Sequence, residues 1–212
     1  MNVSILHSDV LAIREEALRR TSFGGDQKWY ADRRRRMSGC GPTCAANLTA
    51  YLALTQQALR ALYAGEEMCK TQFSAHMEAV YEFVTPRFMG LSRVEMFTGG
   101  VESFAASRGL SLKAHVFEAR GNTRGDRPPV AELARFVREG LDADCPVAFL
   151  NLAKGRVKNI QSWHWITIVG ADISDSSLYA RASDEGAEIC FDLGLWYLST
   201  RLRGGLVYFT AS

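Results

Sequence analysis

The stretch Ser38-Gly39-Cys40-Gly41-Pro42-Thr43-Cys44-Ala45-Ala46-Asn47-Leu48 decides how the rest of the chain is interpreted. Pro42 suits the first turn of a helix, because the N–H that proline lacks has no partner in that turn. After Pro42 the apolar residues recur at helical spacing on one face, at Cys44, Leu48, Tyr51 and Leu52. The pattern predicts a buried helix that begins near Cys40 and ends near Leu54.

Cys40 has the setting of a reactive thiol, because it lies where this helix begins. The first N–H groups of a helix are unpaired and the helix dipole is positive there, which favours a thiolate over a thiol. The same N–H groups can stabilise the oxyanion of an acyl-transfer reaction. The alternative is a structural cysteine, since a free cysteine often packs as a small buried hydrophobe.

His164 is the histidine best placed to act with this thiol. It lies in Trp163-His164-Trp165-Ile166-Thr167-Ile168-Val169-Gly170, an aromatic and β-branched run that predicts a buried strand. A cysteine on an early helix and a histidine on a late strand suit a thiolate–imidazolium pair. The histidine would take the thiol proton and give it to a leaving amine. The alternative is a histidine that only packs at the start of the strand.

These motifs resemble those of the papain-like cysteine peptidases, most of all the branch similar to bacteriocin-leader (double-glycine) peptidases. The resemblance covers roughly residues 22–210 and also includes Cys145-Pro146-Val147-Ala148-Phe149-Leu150, which is similar to the strand before the histidine loop in that branch. It implies an α+β fold in which an N-terminal helical lobe packs its cysteine helix against a C-terminal antiparallel sheet. It also implies a substrate that is a peptide or a small amide.

The resemblance implies a third catalytic residue that fixes the imidazole ring. Papain-like enzymes place an Asn or Asp at the end of the strand that follows the histidine strand. Asp184 ends the predicted strand directly after that of His164, so it is the favoured candidate. Asp192 is the alternative, although a helix N-cap role also explains an aspartate at that position. Asp172 ends the histidine's own strand, too far along it to reach the ring.

The oxyanion hole departs from the family's pattern. Papain-like enzymes usually carry a glutamine six residues before the cysteine, and Arg34 stands at that position here. The nearest glutamine is Gln27, thirteen residues before Cys40. We therefore assign Gln27 as the candidate second oxyanion donor, beside the backbone N–H of Cys40.

Length and composition bound the class of protein. The 212 residues suit a single domain over 1–212, mainly helical over 1–109 and mainly β over 110–212. The net charge of +2 gives no reason to expect a nucleic-acid partner. The apolar runs fall far short of the ~20 residues that a membrane helix needs, and charges near the N-terminus argue against a secretory signal.

The five cysteines predict neither a disulfide framework nor a metal site. Their number is odd and their spacing irregular, which suits reduced thiols in the cytoplasm. An iron–sulfur run that used Cys40 and Cys44 would need a third cysteine at position 47, which is Asn47. No paired Cys/His spacing suggests zinc. We therefore expect no cofactor and no metal.

Other segments receive simpler predictions. The sequence predicts a helix over about residues 9–20 and a loop over 21–37, whose arginine run Arg33–Arg36 is either a solvated surface or a site for acidic peptides. A helix capped by Thr98 and a polar loop over 119–127 are also expected. The other predicted elements are an amphipathic helix over 73–84, a helix after Pro128-Pro129, a helix over 192–200, and strands at 110–118, 146–152, 163–170, 177–183, 187–191 and 205–210.

Three functions fit these residues. The first is a cysteine peptidase or amidase that works through an acyl-enzyme. The second is an acyltransferase on the same fold, which would hand the acyl group to an amine or thiol instead of water. The third is a catalytically inactive papain-like binding module, which the arginine in the usual glutamine position favours.

Overall fold

A computed structural model describes residues 1–119 and 127–212 of the chain. Its central element is helix α2 (Cys40–Thr55), and the residues from Gly41 to Ala53 are all buried. Sheet strands pack on one side of this helix, and helical segments pack on others. The helix is covered on all sides, and its small residues Ala45, Ala46 and Ala50 allow the neighbouring elements to approach closely. The predicted cysteine helix is therefore present, with the predicted start.

Seven strands of the described chain form one antiparallel sheet. The strands of this sheet are β1 (Asn2–Ser4), β4 (Leu112–Ala119), β5 (Val147–Asn151), β6 (His164–Ile173), β7 (Leu178–Asp184), β8 (Ala187–Asp192) and β9 (Gly204–Ala211). Their order in the sheet is β4-β9-β5-β6-β7-β8, and β1 pairs with the second half of β6, on the edge that β5 leaves free.

The helices lie around this sheet. The helices other than α2 are α1 (Arg33–Ser38), α3 (Lys70–Tyr81), α4 (Val94–Ser107), α5 (Val130–Asp142) and α6 (Leu193–Ser199). Four helices, α2, α4, α5 and α6, contact strands of the sheet. The fold is thus the expected α+β arrangement, with a cysteine helix packed on an antiparallel sheet.

The helix predicted over residues 9–20 is wrong. A hairpin of β2 (Ala12–Glu15) and β3 (Arg20–Phe23) occupies this region, with one short 3-10 turn before β2 and another between the two strands. Burial alternates along β2, where Ile13 and Glu15 point inward. The apolar residues in this region are so few that they match the helical period and the strand period equally well. The buried carboxylate of Glu15 gains its hydrogen-bond partners only when the hairpin forms.

The loop predicted over residues 21–37 is also wrong in part. The end of β3, a 3-10 turn over Gln27–Trp29 and helix α1 all lie within it. Asp32 caps α1, because its carboxylate accepts hydrogen bonds from the N–H groups of Arg34 and Arg35. A helix made of four arginines, Met37 and Ser38 has no apolar periodicity, so its pattern cannot be recognised in the sequence.

One further boundary differs from the predictions. Helix α4 begins at Val94 rather than after Thr98, and Arg93 at its N-cap makes no side-chain capping bond. The start of this helix therefore carries no capping signature. The polar loop predicted over 119–127 lies, apart from its end residues, outside the described residues.

Candidate active site

Cys40 is the first residue of α2 and is half-buried. Only Gly39 separates it from the end of α1. A side chain at position 39 would meet the carbonyl oxygen of Arg35 at 2.5 Å and the ring of Tyr30 at 2.6 Å. The glycine is therefore required where the chain turns from one helix into the next, and it fixes the position of the thiol.

His164 is the first residue of β6, and its Nε2 lies 2.6 Å from Oδ1 of Asp184. Both side chains are almost wholly buried, with 6% and 11% of their surface exposed. The contact follows from the strand pairing, because Thr167 on β6 lies opposite Ser183 on β7. The last residue of β7 thereby comes level with the first residues of β6.

The His164 ring shares a crevice with the Cys40 thiol. Burial alone would lower the pKa of His164, but the interactions with Asp184 and Cys40 outweigh burial and raise the pKa to about 10. Because Nε2 faces the carboxylate, Nδ1 is the ring nitrogen left for the thiol. The arrangement can hold a protonated imidazole beside the Cys40 side chain at neutral pH.

Cys44 lies one turn further along α2 and has a different environment. Its Sγ lies 3.4 Å from the carbonyl oxygen of Ile166 and 3.3 Å from Oγ1 of Thr167, and the residue is buried. Burial raises the pKa of this thiol to about 12. Cys44 is therefore a packing residue, and Cys190 is the exposed cysteine of the described chain.

Gln27 shares a narrow crevice with Cys40 and His164. The crevice has a volume of about 10 Å³, room for roughly one water molecule. The side-chain Oε1 of Gln27 is buried there and has no hydrogen-bond partner among the described residues. Helix α1 occupies much of the chain between Gln27 and Cys40, which explains the unusual spacing of thirteen residues. Arg34 is exposed on α1 and does not line the crevice.

Asn47 anchors the loop that carries Gln27, a role that the sequence analysis missed. Its Oδ1 accepts a hydrogen bond from the N–H of Gly25 at 2.8 Å. Its Nδ2 donates to Oγ1 of Thr167 at 3.1 Å and lies 3.5 Å from Oγ of Ser183. The signal in the sequence was an asparagine amid apolar residues, two helical turns after Cys40 on the same face.

Asp192 lies apart from the histidine. Its Oδ1 accepts a hydrogen bond from the N–H of Leu195 at 2.7 Å, so it caps α6. The two candidates for the third position therefore have different contacts, and only Asp184 touches the ring.

In the arginine run of α1, Arg35 and Arg36 form ion pairs or hydrogen bonds with other parts of the chain. Arg35 forms ion pairs with Glu78 at 2.5 Å and with Glu82 at 2.8 Å. Arg36 donates to the carbonyl oxygens of Tyr30 and Ala31. Arg33 and Arg34 are exposed.

Within residues 1–119 and 127–212, no three His, Cys, Asp or Glu side chains come together as metal ligands would. Over those same residues, every helix is too short or too polar to cross a bilayer.

Comparisons with known proteins address the fold. No protein-family model matches the sequence, and no curated protein matches it. A crystal structure of UfSP from C. elegans is similar, with a TM-score of 0.54 at 10% sequence identity. The match covers 100% of this chain and 34% of that chain, so this chain spans about a third of the UfSP chain. UfSP is a cysteine protease of papain-like fold, and the present chain has a similar, papain-like fold.

Proposed function

We propose that this protein is a cysteine peptidase or amidase. The observation that carries the proposal is the position of His164, which is buried, hydrogen-bonded to Asp184 and lines one crevice with Cys40. A nucleophile, a base and a residue that orients the base are the three parts of a nucleophilic acyl-transfer site.

The reaction follows from these positions. The Cys40 thiolate attacks the amide carbonyl carbon, and the carbonyl oxygen becomes an oxyanion. The His164 imidazolium then gives its proton to the leaving amine as the C–N bond breaks, which leaves a thioester on Cys40. Neutral His164 next takes a proton from water, whose oxygen attacks the thioester. The acid product leaves and the thiolate–imidazolium pair is restored.

Asp184 and Gln27 have supporting roles in this mechanism. Asp184 accepts a hydrogen bond from the Nε2–H group of His164, which fixes the tautomer and stabilises the imidazolium. The Gln27 side-chain amide lies in the crevice with the thiol and is the candidate donor to the oxyanion, together with the Cys40 N–H. An inactive binding module would have no need of a glutamine placed there, so this position supports an active enzyme.

The narrow crevice also bears on the substrate. A space of about 10 Å³ beside the thiol favours small residues next to the scissile bond. This agrees with the resemblance to double-glycine leader peptidases, and we propose a peptide with glycine at that position as the first substrate to test. An acyltransferase would use the same residues, and added amines would then appear in the products.

Covalent labelling tests the proposed nucleophile. We expect a glycine-ending peptide with a thiol-reactive electrophile to modify Cys40, as located by peptide mapping. Cys40→Ala should abolish this label and lower hydrolysis by about 10⁴-fold or more, with the melting temperature nearly unchanged. Cys190→Ala is the matched control and should label normally. Label that is found only on Cys190 would refute the proposal.

Replacement of Gln27 tests the oxyanion hole. Gln27→Ala should lower kcat by about 10²–10³-fold, the usual loss for one oxyanion donor. Lys28→Ala is the control on the same 3-10 turn, because it removes an exposed ammonium group and its ion pairs with Glu185 and Asp26 but leaves the Gln27 amide in place. Unchanged hydrolysis by Gln27→Ala would place the second donor elsewhere.

A further inference from the structure

A second, larger cavity lies near the end of the sheet at which His164 begins. Its volume is about 720 Å³, and it is lined by the loop after β5 and by the segment between α6 and β9. We call it the basic pocket. The lining residues that matter here are Lys154, Arg156, Ser162, Ser199, Thr200 and Arg201.

The charged side chains that line the basic pocket are all positive among the described residues. Lys154, Arg156 and Arg201 are exposed, and none of them forms an ion pair within the described ranges. No carboxylate lines the pocket among those residues. Arg127 also lines it, but its guanidinium donates to the carbonyl oxygens of Tyr197 and Thr200. Three further cations that line one cavity make a strong local field on a chain with a net charge of +2.

The backbone that carries these cations is held in place. The N–H of Arg156 donates to Oγ of Ser199 at 2.9 Å, and Oγ1 of Thr200 donates to the carbonyl oxygen of Ala153 at 2.8 Å. Gly155 has a φ of +58°, and a side chain there would meet Ser199 Oγ at 2.4 Å. The loop therefore packs closely on the end of α6, and its charges project from a fixed base.

The basic pocket and the candidate active site share one loop. Ser162 lines the pocket and accepts a hydrogen bond from the N–H of Lys154 at 3.1 Å. It lies two residues before His164, and two residues of extended chain span at most about 7 Å. A peptide bound at the thiol would reach the pocket with a residue roughly three to six positions from the scissile bond.

We propose that the basic pocket binds acidic side chains of the peptide substrate, as a subsite that sets specificity at a distance from the thiol. The proposal rests on the proposed peptidase function. Carboxylates are the group that unpaired Lys and Arg side chains bind by charge-assisted hydrogen bonds. Among the described residues, no aromatic side chain on which a base could stack lines the pocket, which argues against a single-stranded nucleic acid.

The test compares two glycine-containing fluorogenic peptides with the same scissile bond. One peptide carries Glu-Glu three to six residues from the bond, and the other carries Gln-Gln at the same positions. The comparison is made twice, once with the pair before the bond and once with the pair after it. We expect kcat/KM to be roughly tenfold higher for the Glu peptide, on one of the two sides, at low salt. The preference should decrease at high salt, because exposed charges are screened.

Charge-matched variants locate the effect. The triple variant Lys154→Gln/Arg156→Gln/Arg201→Gln should lose the preference and keep its kcat/KM on the Gln peptide. The control Arg33→Gln/Arg34→Gln/Arg87→Gln removes three exposed cations outside the pocket and should keep the preference. A preference that the control variant loses, or that the pocket variant retains, would overturn the assignment.

A binding measurement separates this proposal from the proposed function. Labelled Glu and Gln peptides are titrated into the Cys40→Ala variant and followed by fluorescence anisotropy. Selective binding of the Glu peptide would support the pocket even if the wild-type protein hydrolysed nothing. Equal hydrolysis and equal binding of both peptides would overturn the pocket and leave the peptidase intact. Binding of a phosphoserine peptide without binding of the Glu peptide would overturn the carboxylate assignment.

Discussion

At the scale of single residues, the candidate site depends on the two groups that flank the His164 ring. Asp184 and Cys40 both favour the protonated imidazole, and together they overcome the effect of burial on its pKa. Cys44, only one turn from Cys40, lacks such a partner and is buried, which raises the pKa of its thiol. The position of Cys40 beside His164 therefore distinguishes this candidate nucleophile from Cys44, which is a packing residue.

The Asp184 carboxylate should set the alkaline limit of activity. An imidazolium loses its proton as pH rises, and removal of the neighbouring negative charge makes that loss easier. We therefore expect Asp184→Asn to keep a hydrogen-bond acceptor but to move the alkaline limb of kcat/KM to lower pH, by about one unit or more. Asp184→Ala should lower kcat further, by about 10²-fold or more.

Asp192→Ala is the control for both variants of Asp184. It should lower the free energy of unfolding by about 1 kcal/mol, as for a lost N-cap, and leave the pH profile in place. A profile that moves with Asp192→Ala and not with Asp184→Asn would transfer the role to Asp192.

At the scale of elements, the β2–β3 hairpin depends on one buried carboxylate. Glu15 is 1% exposed and accepts hydrogen bonds from Ser22 at 2.6 Å, Arg20 at 2.7 Å and Lys70 at 3.0 Å. Burial alone would raise the pKa of Glu15, but these bonds outweigh it and lower the pKa to about 2. The carboxylate therefore joins both strands of the hairpin to the start of α3.

Glu15→Gln should destabilise the protein in a pH-dependent way. The pKa in the folded state lies below its ordinary value of 4.5, so the ionised carboxylate contributes stability above pH 4.5. That contribution is lost as pH falls through about 2. Urea unfolding at pH 7 should show a loss of about 2–3 kcal/mol in the variant. The difference from the wild type should narrow between pH 4.5 and 2, and a constant difference would contradict the argument.

The elements also show what the sequence could predict. The cysteine helix and the five strands after residue 145 have clear apolar patterns bounded by Pro or Gly, and their predictions are confirmed. Helix α1 has no such pattern, because its support comes from an Asp32 cap and from distant ion pairs of Arg35 with Glu78 and Glu82. The apolar periodicity of a short segment gives no information about partners that lie more than forty residues away in the chain. The three-residue strand β1 was missed because it is too short to show a period.

At the scale of the whole molecule, the candidate site is assembled from separate parts of the chain. Gln27 follows the hairpin, Cys40 begins the central helix, His164 begins β6, and Asp184 ends the neighbouring strand β7. Motif spacing indicated the last three residues, because the family resemblance supplied their order. It could not show whether Gln27 reaches the crevice, because that depends on how α1 packs between it and Cys40. Asn47 joins these parts, since its hydrogen bonds and close contacts reach the Gln27 loop, β6 and β7.

Loss of the Asn47 amide should therefore affect catalysis as well as stability. Asn47→Ala leaves the buried N–H of Gly25 without its partner, which costs about 1–3 kcal/mol. The Gln27 loop would then shift relative to the thiol, and a displacement of about 1 Å lowers rates by about 10²-fold. We expect kcat to fall and KM to change little. Thr49→Val is the matched control, because Thr49 is a buried polar residue of the same helix that contacts His76 on α3 instead. It should lose stability at similar cost and retain kcat, whereas an equal loss of kcat in both variants would mean that stability alone limits the activity.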